Sequence, residues 1–206
     1  MLSGSWIERT LEKGRGSVRD WFQAWMLLFL ISGSVVSVVA CNSDRNPVEP
    51  PPSPQLIASG KQIFRFDTFG DEKFWTDTLH MERVIQAAVD PTTALSVGLK
   101  VDMDTLPAAL VQAIQAGQVD LKSPATTVAL IKLGAVVGVR GTVVTVNGRD
   151  SLTRVGITCA LCHSTVDDAF APGIGHRLDG WPNRDLNPGA IIALSGALTP
   201  AQKAVY

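Results

Sequence analysis

Cys159, Cys162 and His163 stand as C-x-x-C-H in the stretch GITCALCHSTVDDAF. Residues three apart on a helical turn share a side, so both thiols would point the same way. Each thiol can add to one vinyl group of a haem, and the adjacent imidazole can then reach the iron, which is the logic of the c-type attachment pattern. With three Cys and three His in 206 residues, that coincidence arises by chance on the order of once in a thousand chains. Three other chemistries use the same residue types. A redox dithiol places C-x-x-C at a helix start after a strand, but gains nothing from the following His. A zinc centre needs four ligands, and His176 is the candidate to extend a set in which Cys162 and His163 are neighbours. A Cys159–Cys162 disulfide would suit an oxidising compartment.

The elements that must position this group read as mainly α. Three helices announce themselves by a hydroxyl cap followed by proline, at Ser53-Pro54, Ser123-Pro124 and Thr199-Pro200. Between the first two, DEKFWTDTLHMERVIQAAV carries Phe74, Leu79, Met81, Val84, Ile85 and Val89 at helical spacing. A shorter helix, LPAALVQAIQAG, should stop at Gly117. The period then changes. GTVVTVNGRDSLTRVGI alternates around Asn147-Gly148, a hairpin turn signal, and runs directly into Cys159. Only six residues follow Pro200, too few for a helix that stands alone, so the chain reads as the N-terminal part of a larger protein.

Upstream, Arg9, Lys13, Arg15 and Arg19 precede an uncharged run from Trp21 to Ala40. A basic flank, an apolar core and small residues at its end are the grammar of an export signal, and about 20 residues also suffice for an uncleaved membrane helix. Both readings place the chain from Cys41 onward outside the cytoplasm. Val38-Val39-Ala40-Cys41 resembles the lipobox of bacterial lipoproteins, which implies that Cys41 is acylated and becomes the mature N-terminus. Residues 42–54, NSDRNPVEPPPSP, are too proline-rich to pack and read as an extended tether of roughly 40 Å. The organisation is therefore a signal or membrane segment (1–40), a tether (41–54) and one domain (55–206). After residue 40 there remain 14 basic and 16 acidic groups, a net charge of −2, which gives no electrostatic case for nucleic acid.

From Gly156 to Leu186, with the attachment motif, a polar loop and APGIGHRLDG, the chain resembles a c-type cytochrome, and SGKQIFRF resembles the first helix of that fold. FRFDTFGDEKFWTDTLHM is similar to the opening of larger bacterial multidomain cytochromes. The resemblance implies a cytochrome c-like helical domain, with the small hairpin before the motif, holding one covalent haem c, with His163 as proximal iron ligand. It also implies maturation outside the cytoplasm and single-electron exchange with redox partner proteins on the periplasmic side of a bacterial membrane. By the same resemblance, the Pro172 carbonyl accepts the second N–H of His163. The resemblance also makes Arg177, Trp181 and Arg184 candidates for contacts to the haem propionates, with solvated surface groups as the alternative, and Phe170, Ile174 and Leu178 candidates to wall the ring. No methionine follows Cys162, so the distal ligand stays open among His176, Met81, His80, Met103 and sequence beyond Tyr206. The alternative reading is a di-haem peroxidase reducing peroxide, of which one haem motif is present; a non-redox lipoprotein with a disulfide is a third. If Cys41 is acylated, labelled palmitate will enter the wild-type protein and not Cys41→Ala, and the variant will leave the membrane fraction unless the leader itself spans.

Overall fold

The structure, a computed structural model, describes residues 51–206. The leader, Cys41 and the tether up to residue 50 lie outside the described residues. Helix α1 (Pro54–Phe66) opens as the cap signal requires, with the Ser53 hydroxyl accepting the Leu56 amide at 3.2 Å. It buries none of its residues fully, but Phe64 packs on Val137, Ala160 and Val166.

The stretch expected as one helix is broken into two. Lys73–Thr78 is a π-helical turn, and α2 (Met81–Ala88) follows after His80, which sits in the left-handed region at φ 54°. Two bonds make the break tolerable. The His80 amide still reaches the Thr76 carbonyl at 3.1 Å. The Leu79 carbonyl, freed from the helical ladder, accepts the fully buried Ser195 hydroxyl at 2.7 Å. The wide turn lets Trp75 and Thr76 both face inward. Then come α3 (Pro91–Ser96), β1 (Val101–Asp102), a 3₁₀ turn (Met103–Thr105), α4 (Ala108–Gln115) and α5 (Pro124–Lys132). Helix α4 ends as expected before Gly117 at φ 66°.

Strands β2 (Val139–Val146) and β3 (Arg149–Ile157) form the expected antiparallel hairpin. Asn147 at φ 50° and Gly148 at φ 74° supply the two positive-φ positions of a type I′ turn. The remaining elements are α6 (Ala160–His163), β4 (Ser164–Val166), β5 (Ile174–Gly175), β6 (Arg177–Asp179), α7 (Pro188–Ala193) and α8 (Pro200–Lys203). Beyond the hairpin, the described residues form two further two-stranded sheets, β1 with β5 in parallel and β4 with β6 antiparallel. The class is thus mixed, helices with small two-stranded sheets, and richer in strand than the mainly α fold with a single hairpin expected. Among the described residues no helix is long and apolar enough to cross a membrane.

Residues 53–206 form one compact unit. Its core gathers Leu79 and Met81 from the helical layer, Val128 and Ile131 from α5, Leu152 and Val155 from the hairpin, and Leu161 from α6. The outer edge of β3 is closed by side chains rather than by a third strand. Asp71 accepts the Ile157 amide at 3.1 Å, and the Thr76 hydroxyl bonds both the amide and the carbonyl of Val155 at 2.9 Å. Gln86 takes the amide and carbonyl of Leu152, each at 2.9 Å. A bulge at Thr142/Val143 shifts the register by one, so the accessible positions run 157, 155, 152.

Thr76→Val keeps the shape and removes the bridging hydroxyl, leaving two buried backbone groups of Val155 without partners. Each such group costs about 1–3 kcal/mol. Denaturant unfolding should show a loss of at least ~2 kcal/mol; a change under ~0.5 kcal/mol, the scale of neutral surface substitutions, would refute the clamp.

Candidate functional site: a dithiol and an imidazole on one exposed turn

The hairpin ends at Ile157, the Thr158 amide bonds the Gly138 carbonyl at 2.9 Å, and the chain turns at once into α6. Burial splits this turn sharply. Ala160 and Leu161 are 0% and 5% exposed and belong to the interior, while Cys159, Cys162 and His163 are exposed. Burying Leu161 contributes roughly 1.5–3 kcal/mol, so its side chain decides which face of the turn looks out. Gly138 permits the close approach: a Cβ there would lie 2.1 Å from the Leu161 nitrogen. Its φ of 73° also suits glycine.

Both thiols are free. The His163 ring places Nδ1 3.3 Å from the Cys159 carbonyl. A carbonyl only accepts, so Nδ1 carries the hydrogen, and Nε2 keeps its lone pair for a metal. The resemblance assigned that Nδ1 bond to Pro172; the structure gives it to Cys159 instead, and Pro172 lies exposed in the loop before Gly173.

The segment after β6 is drawn back onto the motif. Strand pairing sets Ser164 against Asp179. The Gly180 amide then bonds the His163 carbonyl at 2.8 Å, and the Asn183 amide bonds the Cys162 carbonyl at 2.9 Å. Trp181, 62% exposed, lies between these two anchors and so stands beside Cys162 and His163. The Asn183 side chain ties the same segment to Gly98 O at 2.9 Å. No local signal in the sequence marks Asn183 or Gly138 for these roles.

Arg177 and Arg184 separate. The Arg177 side chain is 5% exposed and donates through Nε to Asp179 at 2.8 Å. Asp179 also takes Arg65 at 2.6 Å and the Ser164 hydroxyl at 2.9 Å. Burial alone would raise the Asp179 carboxyl, but the Arg65 and Ser164 donors and the Arg177 charge outweigh it and hold it below its ordinary value. Arg177 is therefore a buried strut whose terminal Nη2 has no hydrogen-bond partner, whereas Arg184 is exposed and, among the described residues, without an ion pair. Ile174 packs against the main core rather than standing as a wall at the motif; Phe170 and Leu178 are half-buried.

The distal candidates do not converge on the motif. Met81 is 3% exposed within the core. His80 turns Nδ1 to the Thr76 carbonyl at 3.0 Å. Met103, half-buried, opens the 3₁₀ turn, whose other two residues are exposed. His176 sits opposite Asp167, at the far end of the β4–β6 ribbon, and its Nδ1 lies 2.8 Å from Asp104. Among the described residues no three His, Cys, Asp or Glu side chains are grouped to hold a metal ion. No family model, curated protein or solved structure matches the chain.

The donor set does fit a covalent haem. Two unpaired thiols three residues apart share an exposed face with an imidazole whose Nε2 is open. The dithiol reading gains the strand before Cys159, but its helix is a single turn, and the only parallel strand pair among the described residues is two residues long.

The hydrogen bond that Nδ1–H donates to Asp104, then the Asp104 charge, raise the His176 imidazole above its ordinary value of 6.5. A raised imidazole adds stability that is full below the unfolded pKa and fades as pH climbs through the folded one. Titration followed by NMR should place the His176 midpoint above 6.5, and Asp104→Asn should bring it down. An unchanged midpoint would mean the pair does not persist in solution.

Proposed function

We propose that this chain carries one haem c, linked by thioethers to Cys159 and Cys162 with His163 as proximal iron ligand, and that it passes single electrons between redox partner proteins. The observation that carries the reading is the division of one turn into a buried Ala160–Leu161 wedge and an exposed Cys159–Cys162–His163 face. A bound haem supplies a one-electron iron couple, and the protein supplies ligation and orientation. The Leu161 side chain, seated in the core against the hairpin, holds the turn so that both sulfurs emerge together. The Cys159 carbonyl fixes the His163 tautomer and strengthens Nε2 as a donor. The Gly180 and Asn183 amides bring the Trp181 backbone next to the motif, which supports a place for this exposed indole at the edge of a bound ring.

The export-type leader and the lipobox-like Cys41 support a place on the periplasmic side of a bacterial membrane, anchored by lipid or by the leader helix. The alternative reading, a di-haem peroxidase, needs a second C-x-x-C-H besides the one in this sequence, and the reading frame downstream of Tyr206 is where it would be sought. The test is to express the full chain with haem-attachment machinery and weigh it under denaturing conditions. The expected mass exceeds that of the bare polypeptide by one haem, with visible bands that sharpen on reduction. Cys159→Ala/Cys162→Ala should abolish the covalent haem and His163→Ala should change the spectrum. A colourless wild-type protein at the bare mass would end the proposal.

A further inference from the structure

A cleft of about 190 Å³ opens where the end of α1 meets the hairpin, lined by Phe66, Thr68, Glu72, Arg140, Thr142 and Arg154. The strand register sets Arg140 opposite Gly156 and Thr142 opposite Arg154, so the two guanidinium groups emerge diagonally from one face of the hairpin. Their electrostatic situations differ. Arg154 lies 3.7 Å from Asp77 and in the field of Glu72. Arg140 forms no ion pair among the described residues. Instead its guanidinium lies over the Phe66 ring, 5.0 Å from the centroid. Stacking strips water from one face and fixes the plane of the fork.

A half-buried, unpaired and oriented guanidinium beside an open volume is a receptor for an oxyanion, and its fork matches a carboxylate. The other lining groups narrow the choice. Thr68 donates to Glu72 at 2.6 Å, and that bond, before any other influence, holds the Glu72 carboxyl below its ordinary value. Glu72 is thus an anion at neutral pH. It repels a doubly charged ligand and offers an acceptor to a ligand's own hydroxyl. The Thr142 hydroxyl gives a further polar contact.

We propose that this cleft binds a small monocarboxylate that carries its own hydrogen-bond donor, a hydroxy acid of about the size of lactate, with Arg140 holding the carboxylate and Glu72 selecting against dianions. The site is separate from the haem-attachment residues and does not depend on that reading.

The test uses ¹⁵N-labelled full-length protein in detergent micelles, titrated with lactate, acetate and phosphate. Lactate should move the Gly141 and Thr142 amides saturably, more tightly than acetate, with phosphate weakest. Arg140→Gln should weaken lactate at least tenfold, and Arg140→Lys, which keeps the charge but not the fork, should also weaken it. Glu72→Gln should improve phosphate relative to lactate. Protein made with and without the haem-attachment machinery should bind lactate equally, so this test stands whether or not haem attaches. A strictly linear response to lactate, an Arg140→Lys protein that binds as tightly as the parent, or phosphate binding more tightly than lactate would each overturn the proposal.

Discussion

One packing constraint governs the site: Leu161 must be inside. It sits between the two cysteines in sequence, and on a single turn its direction is opposite to theirs. The core accepts it among hairpin and α5 side chains, and the missing side chain at Gly138 lets the two backbones meet. Once that contact forms, the outward presentation of two sulfurs and an imidazole results from helical geometry alone. The turn is too short to be stable through its own hydrogen bonds. Its order comes from the Thr158–Gly138 bond before it, the Gly180 and Asn183 bonds after it, and the leucine beneath it.

The hairpin that delivers the turn would be marginal by itself. What steadies it is a row of side chains from the helical layer, Asp71, Thr76 and Gln86, which satisfy backbone groups of β3 as a neighbouring strand would. The burial of Asp71 raises its carboxyl even as it accepts the Ile157 amide, so the clamp carries an electrostatic cost that packing must offset. On the other side of α6, the Arg65–Asp179–Arg177 group joins α1 to the β4–β6 ribbon with little exposure to water. Such a group is weak evidence for stability and better evidence for a fixed arrangement, because removing one partner strands a buried charge.

Much of the framework is legible in the chain because caps and turns are local codes. Ser53-Pro54, Thr199-Pro200 and Asn147-Gly148 each act as their residue types imply. Ser123-Pro124 opens α5 without the expected side-chain bond. The same code also stands at Asp90-Pro91 and Asn187-Pro188, which start α3 and α7 with Asp90 and Asn187 as capping acceptors; those two helices are as locally encoded as the three expected from hydroxyl caps. The break at His80 is not legible, since it depends on Ser195, 116 residues away, to satisfy Leu79. Strands of two or three residues such as β1, β4, β5 and β6 are too short to show alternation. At the site, residue types and spacing point to the dithiol and imidazole directly. The burial of Arg177 and the diversion of His176 to Asp104 depend on partners that no local pattern names.

The side-chain closure of β3 also bears on colloidal behaviour. An open strand edge invites another chain to add to it, which is how many β-containing proteins self-associate. Along β3 the groups that would recruit such a chain are already spoken for by an aspartate, a threonine and a glutamine. An incoming strand would first have to displace two helical segments packed into the core. The protection is one-sided: Val144 and Val146, exposed near the hairpin tip, lie on β2, whose outer edge no strand pairs among the described residues, so strand addition to this hairpin would have to start from β2 and not from β3.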